Sequence, residues 1–303
     1  MKKELVEFAG RVLASVSPTL ASHYWYWGLF KKPLNLNKPV TLNEKLTWLK
    51  LHTYREDPLV CQCSDKYRVR DYLEQTGCGE LLNELYGAWD RVEDIPWEEL
   101  PDSFVLKCNH GCAYNILCPD KSLLDVAQTK MQLGKWMKDD FWRKHAEMQY
   151  RNIPKKILCE AYLGGGEPLV DYKIYCFHGK PSYILVCTER EAGKPRFYFF
   201  DQNWQLCPIT RDGKQAPPGF TLEKPEQLEQ MLEYARILSA PFPFVRADFY
   251  SVKGRIVFGE LTFTPSGALD TARLPETDLL FGGMLQLPFE SNEKTSCIEE
   301  IHV

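Results

Sequence analysis

The 303-residue sequence has no excess of positive charge and no long basic run. Lys and Arg number 37 against 41 Asp and Glu, which gives a formal net charge of −4. Proteins that bind duplex nucleic acid usually carry a basic excess, because they neutralise phosphates. The composition therefore gives no support for nucleic acid as a partner.

Long hydrophobic runs are also absent. No stretch approaches the about 18 consecutive apolar residues that a membrane-spanning helix needs. The first three residues are followed by Glu4 and Glu7 rather than by an apolar segment, so no signal peptide is predicted. The 11 cysteines are an odd number and lie scattered, mostly in apolar runs, where thiols behave as small hydrophobic side chains. We therefore expect a reduced, cytoplasmic protein without a transmembrane segment.

Several common catalytic signatures are missing from the sequence. There is no Gly-x-x-x-x-Gly-Lys-Ser/Thr phosphate loop, no His-Glu-x-x-His and no Gly-x-Ser-x-Gly. The run of glycines 164–166 does not complete a Gly-x-Gly-x-x-Gly motif. Cys61-x-Cys63 and the pair Cys108 and Cys112 lack the spacing of zinc-binding knuckles, so we interpret them as reduced structural thiols.

What is present changes in character along the chain. Residues 1–100 predict mainly helices, and Thr41 to Glu44 form the Thr-x-x-Glu pattern of a helix capping box. Residues 101–163 predict strands around a loop, residues 164–290 predict short strands with one helix, and the polar residues 291–303 predict a flexible tail. This order indicates an α+β protein with more than one lobe.

A dense aromatic cluster occupies residues 23–30, which read His-Tyr-Trp-Tyr-Trp-Gly-Leu-Phe. Such a cluster can form a membrane-interface belt or part of a packed core. No basic amphipathic helix is evident beside it, so we favour the packed core.

Two predicted strands near the end of the chain bring charged residues together. Side chains alternate along a strand, so Arg246 and Asp248 share one face of the strand 244–250. A three-residue turn at 252–254 would place Asp248 opposite Phe258, with Glu260 one diagonal away, unless a bulge shifts the register. Buried carboxylates need a cation. From the pattern alone, Mg²⁺ and Arg246 are equally favoured as that cation.

Two lysines lie in apolar strands, where a structural role is unusual. Lys107 ends one such strand beside the loop 109–111, and Lys173 interrupts another. Both are natural ligands for phosphate. His110, in the loop next to Lys107, either contacts a ligand or is simply solvated.

Six motifs occur in the order found in the ATP-grasp superfamily, over roughly residues 30–290, and the sequence resembles most closely its teichuronopeptide-biosynthesis (TupA-like) branch. That branch is found with capsule and cell-surface polysaccharide genes. The motifs are Ser-Asp-Lys66, Phe-Val-Leu-Lys107-Cys-Asn-His-Gly, Ile-Leu-Cys-Glu160-Ala-Tyr-Leu, Asp-Tyr-Lys173-Ile, Val-Arg246-Ala-Asp248-Phe-Tyr and Phe-Gly-Glu260-Leu-Thr262.

The resemblance implies a helical N-terminal region followed by two α+β lobes that clamp ATP. The small lobe would span residues 101–163 and carry the phosphate-covering loop, and the large lobe, 164–290, would carry the metal site. The loop has only Gly111, and Thr262 replaces the asparagine that D-alanine–D-alanine ligase-like relatives use as a third metal ligand. The implied ligands are Lys66, Lys107 and Lys173 for the phosphates; Glu160, Ala161, Tyr162 and Leu163 for adenine; Glu167 for ribose; Asp248, Glu260 and Thr262 for Mg²⁺; and Arg246 for the transferring group.

The same resemblance implies an ATP- and Mg²⁺-dependent carboxylate–amine ligase that releases ADP and phosphate. Its substrates would be a small-molecule or glycan carboxylate, such as a uronic-acid-containing surface polysaccharide or its precursor, and an amine. Its partners would include the membrane-proximal polysaccharide machinery. The main alternative is a glycosyltransferase that uses a nucleotide sugar, although no Asp-x-Asp motif is present. A non-catalytic binding module would be expected to lose Lys107 or Glu260, and both are present.

Overall fold

A computed structural model describes residues 2–164, 169–188 and 195–288 of the chain. The predictions for Glu167 and for the tail 291–303 fall outside these ranges. Within the described ranges, every helix is too short or too polar to cross a lipid bilayer.

The first part of the chain folds into helices, as predicted. At the start of the third helix, the Thr41 hydroxyl accepts the Glu44 amide, and the Glu44 carboxylate accepts the Thr41 amide at 3.1 Å, which confirms the capping box. The helices before the first strand are α1 (Lys2–Val16), α2 (Pro18–Phe30), α3 (Leu42–Leu51), α4 (Thr53–Glu56), α5 (Pro58–Ser64) and α6 (Val69–Gln75).

A small antiparallel sheet follows, with strand order β1-β4-β2-β3. Its strands are β1 (Leu85–Trp89), β2 (Phe104–Cys108), β3 (Asn115–Cys118) and β4 (Ile157–Ala161), and α7 (Val126–Lys138) lies between the last two. Strand β1 belongs to residues 1–100, so the small sheet begins before the boundary that the sequence suggested. Phe104, Leu106 and Leu133 pack in its core.

A larger antiparallel sheet has the order β10-β9-β5-β6-β7-β8. Together with the helices it confirms the α+β class. Its strands are β5 (Asp171–Phe177), β6 (Lys180–Thr188), β7 (Arg196–Phe200), β8 (Leu206–Cys207), β9 (Phe244–Val252) and β10 (Arg255–Thr262). The remaining helices are α8 (Arg211–Gln215), α9 (Leu228–Ser239) and α10 (Pro275–Met284).

The hairpin of β9 and β10 differs from the prediction in its register. Val252 pairs with Arg255, so the turn has two residues, Lys253 and Gly254, with φ of 50° and 75°. A bulge at Gly259 then places Glu260 directly opposite Asp248, so the predicted pairing of Asp248 with Phe258 is wrong. A Cβ at position 259 would lie 3.0 Å from the Asp248 carbonyl oxygen, which explains the glycine.

Helices α3 to α6 share one hydrophobic core with the large sheet. Leu46 and Leu73 belong to the same buried cluster as Ile174 and Phe249. The buried Tyr54 hydroxyl donates to the Phe244 carbonyl at 2.7 Å. This part of the helical region therefore packs as a layer on the large lobe rather than as a separate unit.

The aromatic cluster at 23–30 forms most of α2, and its members have different environments. Tyr26 is buried and packs with Leu34 and Leu269, as a core residue would. Trp27, by contrast, is 58% exposed. The predicted packed core is therefore right for Tyr26 and wrong for Trp27, because adjacent positions on a helix point in different directions.

Candidate active site

A cleft of about 360 Å³ lies between the two sheets, with β2 and β4 on one side and β5, β9 and β10 on the other. It collects predicted site residues that are distant in sequence. They are Lys66, Lys107, Glu160, Lys173, Arg246, Asp248 and Glu260. We refer to the β5, β9 and β10 side as the large-sheet wall and to the β2 and β4 side as the small-sheet wall.

The large-sheet wall is centred on Asp248, which is almost completely buried. Arg246 donates from Nε and Nη2 to the two oxygens of this carboxylate, at 2.7 and 2.6 Å. Lys173, its cross-strand neighbour on β5, donates from Nζ to Oδ2 at 2.7 Å and lies 2.5 Å from Asp171. The alternation of side chains along a strand predicted that Arg246 and Asp248 lie on one face of β9. The antiparallel register of β5 and β9 places Lys173 beside them on the same face.

The ionisation of these groups follows from their mutual contacts. Burial in the sheet opposes ionisation of Asp248, but Arg246 and Lys173 outweigh it, so the pKa of Asp248 lies below its ordinary value. Burial also opposes the charge on Lys173, but Asp248 outweighs it, and the pKa of Lys173 is raised. All three groups are therefore charged at neutral pH.

Glu260 lies at the edge of the same wall and is more accessible. Its side chain is 35% exposed, whereas that of Asp248 is 2% exposed. The Thr262 hydroxyl donates to Glu260 Oε1 at 2.9 Å and accepts from Arg246 Nη2 at 3.1 Å. Lys66 Nζ lies 4.0 Å from Glu260 Oε2. Arg246 and Thr262 thus connect the two carboxylates.

The small-sheet wall is built around Glu160. Lys107 Nζ donates to Glu160 Oε2 at 2.6 Å, and Arg70 Nη1 lies 3.7 Å from Oε1. The sequence reasoning did not identify Arg70. Its only signal was a basic residue four positions after Lys66, which is weak evidence for a shared site.

The loop between β2 and β3 closes one end of the cleft. Lys66 Nζ donates to the Gly111 carbonyl at 2.5 Å, and the Asn109 amide donates to Asp65 at 2.8 Å. His110 does not face the cleft, because it is buried with Nε2 3.1 Å from the Trp136 carbonyl of α7. Burial lowers the pKa of His110, so the neutral imidazole is favoured.

The segment predicted to frame adenine runs from the cleft into a neighbouring cavity of about 880 Å³. Glu160 lines the cleft, whereas Tyr162 and Leu163 line the neighbouring cavity, together with residues of β5, β6 and the β9–β10 turn. Ala161 is fixed by its backbone, since its carbonyl accepts from Asn83 Nδ2 at 2.8 Å. The two cavities therefore meet along the segment 160–163, with the charged residues in the cleft and Tyr162 and Leu163 in its neighbour.

The oxygen ligands for a divalent cation lie on the large-sheet wall. Asp248 and Glu260 face each other across β9 and β10, and the Thr262 hydroxyl is beside them. Mg²⁺ commonly takes one or two carboxylates and completes its shell with substrate phosphates and water. Glu260 is accessible to such an ion, whereas Asp248 accepts three hydrogen bonds from Arg246 and Lys173, which leaves about one lone pair, on Oδ1, for it. Among the described residues, no group of three or more His, Cys, Asp or Glu side chains forms a metal site of its own.

Comparison with known proteins gives one family match. A family model described as TupA-like ATP-grasp matches residues 44–286. No curated protein matches the chain.

Solved structures resemble the fold more distantly. D-alanine–D-alanine ligase from Bacillus anthracis in complex with ATP is 16% identical over 77% of this chain and 69% of that chain, with a TM-score of 0.48. The Helicobacter pylori D-alanine–D-alanine ligase is 12% identical over 82% of this chain and 67% of that chain, with a TM-score of 0.44. The N5-carboxyaminoimidazole synthase from Aspergillus clavatus, in complex with ADP and 5-aminoimidazole ribonucleotide, is 13% identical over 77% of this chain and 54% of that chain, with a TM-score of 0.40.

Proposed function

The chain belongs to the TupA-like ATP-grasp family, and from that membership we propose that it is an ATP- and Mg²⁺-dependent carboxylate–amine ligase. The observation that carries the proposal is the convergence of five cationic side chains in one cleft between two sheets. They are Lys66, Arg70, Lys107, Lys173 and Arg246. Phosphoryl transfer depends mainly on positioning and on neutralising phosphate charge, and these residues supply both.

We assign the triphosphate to the end of the cleft near Lys66, Lys107 and Lys173. Lys107 is paired with Glu160 without a ligand, and its partly exposed ammonium can turn toward a phosphate at small cost. Adenine would lie along Glu160, Ala161, Tyr162 and Leu163, where the cleft opens into the larger cavity. Glu167 is our proposed ribose contact.

Asp248, Glu260 and Thr262 are the proposed Mg²⁺ ligands. The ion, when bound, neutralises charge on the phosphates. Arg246 already holds Asp248 and Thr262, so its guanidinium is fixed in orientation before any ligand arrives. A preorganised cation of this kind stabilises charge that develops during transfer.

The reaction we propose has two steps. A substrate carboxylate oxygen attacks the γ-phosphorus of ATP, the bond to the bridging oxygen breaks, and ADP leaves. An amine then attacks the acyl carbon and loses a proton, and phosphate leaves with the electrons of the acyl–oxygen bond. Arg246 and Lys173 lie on the wall where the γ-phosphoryl group would meet the carboxylate, and we assign them the catalytic roles.

We propose an acidic glycan, such as a uronic-acid-containing polysaccharide or its precursor, as the carboxylate substrate. A third cavity, of about 630 Å³, shares residues 112–114 with the cleft. Its lining has four basic residues, Arg11, Lys135, Lys138 and Lys144, and two acidic ones, Glu7 and Asp139, which both pair with Arg11, so the three lysines carry its positive charge. The rings of Tyr114 and Trp136 stack there with their centroids 5.3 Å apart. Cations beside an aromatic surface suit an anionic sugar. The ten free cysteines among the described residues favour a reducing compartment, so we place the reaction in the cytoplasm.

The test is to identify the nucleotide products with candidate substrates. Incubation with ATP, Mg²⁺, a glucuronic acid oligomer and an amino acid should release ADP and inorganic phosphate, and hydroxylamine should trap the acyl phosphate as a hydroxamate. AMP with pyrophosphate would indicate adenylation instead. UDP released from a sugar nucleotide would indicate glycosyl transfer.

A matched pair of variants tests the substrate pocket separately. Lys138→Glu should raise KM for the acidic substrate without changing ATP affinity, because Lys138 lines the pocket. Lys130→Glu, on the same helix and exposed outside the pocket, is the control. Equal KM values for the two variants would contradict an anionic substrate at this position.

A further inference from the structure

Helices α1 and α2 carry large apolar side chains that face solvent. On α1 they recur every three or four residues, so they form one stripe along the helix. Their exposure reaches 67% for Phe8 and 78% for Val16. We name this set the outer stripe; it comprises Leu5, Phe8, Val12 and Val16 on α1, and Leu20 and Trp27 on α2.

Both helices turn this stripe away from the body of the protein. Ala14 of α1 and Ala21 of α2 are buried against Trp142 and Met148. At 100° per residue, the stripe positions of α1 lie on the side of that helix opposite Ala14. The two stripe positions of α2 lie opposite the centre of its buried face rather than opposite Ala21 itself. The exposed apolar surface of each helix therefore faces away from its buried side.

The hairpin is firmly held in this orientation. Gly10 lies so close to the Trp25 ring that a Cβ there would clash with it, and the Tyr24 hydroxyl donates to the Val6 carbonyl at 3.3 Å. Arg11 donates to Asp139 at 2.6 Å, which ties α1 to the end of α7. The stripe is therefore a fixed surface of the folded protein.

The charge of the hairpin differs from that of the rest of the chain. Residues 1–32 contain five basic residues and two acidic ones, a net charge of +3. The whole chain carries −4, which leaves −7 for residues 33–303. The basic residues are Lys2, Lys3, Arg11, Lys31 and Lys32. Arg11 is paired with Glu7 and Asp139, whereas Lys31 and Lys32 are exposed and directly follow the end of α2. An exposed apolar stripe next to these two lysines, in a positively charged segment of an otherwise acidic chain, is complementary to anionic lipid.

We propose that the α1–α2 hairpin docks on the surface of an anionic lipid bilayer. The outer stripe would enter the boundary between headgroups and acyl chains, with Trp27 at the interface, where tryptophan is enriched. Lys31 and Lys32 follow the end of α2 and would contact lipid phosphates. A two-fold contact between two copies is less favourable, because it would bring two hairpins of charge +3 together.

Docking would also orient the pocket that we assign to the acidic substrate. Glu7 and Arg11 line that pocket from the side of α1 opposite the stripe, so the pocket would lie about one helix diameter, roughly 10 Å, from the membrane surface. This consequence rests on the proposed function. The docking itself does not, since it concerns a surface outside the cleft.

The experiment measures binding of the full chain to vesicles by co-sedimentation. Vesicles of equal parts phosphatidylcholine and phosphatidylglycerol should bind the protein, and phosphatidylcholine alone should bind it much less. Phe8→Ser and Trp27→Ser should each weaken binding by about tenfold to a hundredfold, since each removes an apolar side chain from the buried face. Lys31→Gln should weaken it about fivefold.

The control is Leu123→Ser, because Leu123 is 83% exposed and lies outside the hairpin. Thermal melting and ATP-dependent stabilisation of each variant show that it is folded. Absence of binding to anionic vesicles, or equal binding of Phe8→Ser and Leu123→Ser, would overturn the proposal. A concentration-dependent dimer in sedimentation velocity, lost in Phe8→Ser while vesicle binding stays unchanged, would assign the surface to a second copy and overturn it as well.

Discussion

The two walls of the cleft hold similar charges in different surroundings. On the large-sheet wall, the side chains of Asp248 and Arg246 are 2% and 12% exposed, and they are paired with each other and with Lys173. On the small-sheet wall, Lys107 is 30% exposed and pairs with Glu160 at the mouth of the cleft. Both sets lie on inner strands of their sheets, and Glu160 is itself only 10% exposed, so the difference is in the partner cations: that of Glu160, Lys107, reaches solvent, whereas Arg246 and Lys173 are largely buried.

This difference in burial indicates different roles for the two walls. Buried charges cannot be pulled apart without a large desolvation cost, so the large-sheet wall is preorganised before any ligand binds. A partly exposed pair contributes little to stability and can exchange partners cheaply. We therefore expect the large-sheet wall to support both stability and catalysis, and the small-sheet wall to support binding alone.

The largest expected effect is that of Asp248→Asn on stability. Removing this carboxylate leaves Arg246 and Lys173 buried without their shared counterion, which costs about 3–5 kcal/mol. Glu160→Gln, on the other wall, should cost less, about 1–3 kcal/mol, because Glu160 is buried but its partner Lys107 is 30% exposed and can turn to solvent. Urea unfolding of both variants with a chelator present measures the difference. Equal losses would remove the distinction between the walls.

Low pH should reduce the difference in unfolding free energy between the wild type and Asp248→Asn. The folded-state pKa of Asp248 is lowered, so its ionisation stabilises the fold above the unfolded-state value near 3.8, and this contribution is lost as pH falls through the lower folded-state pKa. The difference in unfolding free energy should thus be constant from neutral pH to about 4 and shrink below it. Urea titrations at descending pH measure this, and a constant difference down to a pH of about 2 would contradict the charged assignment.

The sequence predicted which charged residues meet in the cleft better than it predicted how they are arranged. Alternation along a strand was sufficient to pair Arg246 with Asp248, because that relation is local. The position of Glu260 depends on a two-residue turn and a bulge at Gly259, and a single glycine does not reveal which register it permits. Arg70 reaches Glu160 of the small sheet from α6, which packs in the core of the large sheet. That contact is tertiary and leaves no periodic signal.

The aromatic cluster also shows that sequence pattern does not reveal which residues tertiary packing will bury. Residues 23–30 read as uniformly apolar, so composition alone favoured a core. Helix geometry divides them between a buried face and a solvent-facing one, and only the packed structure shows that Tyr26 is inside and Trp27 outside. The α+β class and the capping box depend on local pattern, and each could be predicted.

Arg246→Lys tests whether the large-sheet wall acts in catalysis as well as in stability. Lysine keeps the positive charge. It cannot donate at the same time to both carboxylate oxygens of Asp248 and to the Thr262 hydroxyl, as the planar guanidinium does. Turnover should fall about a hundredfold to a thousandfold, while ATP affinity changes much less, because the group acts mainly in the transition state. Initial rates and isothermal titration with ATP separate the two effects. Equal losses in rate and in affinity would make Arg246 a binding residue only.

Lys107→Ala should have the smallest effect on stability. It should nevertheless weaken ATP binding clearly. Lys107 contacts Glu160 at the solvent-accessible wall, so its loss should change unfolding free energy by about 1 kcal/mol or less. A charge-assisted phosphate contact contributes about 1.5–3 kcal/mol, so ATP affinity should fall about tenfold to a hundredfold.

The control for Lys107→Ala is Lys156→Ala, because Lys156 lies just before β4 and pairs with the exposed Asp90 outside the cleft. Thermal shift with ATP should therefore be nearly abolished in Lys107→Ala and intact in Lys156→Ala. If both variants kept the full ATP shift, Lys107 would have no role in nucleotide binding. If Lys107→Ala lost several kcal/mol of stability without ATP, the small-sheet wall would contribute as much to folding as the large-sheet wall, and the two walls would not differ in the way their burial indicates.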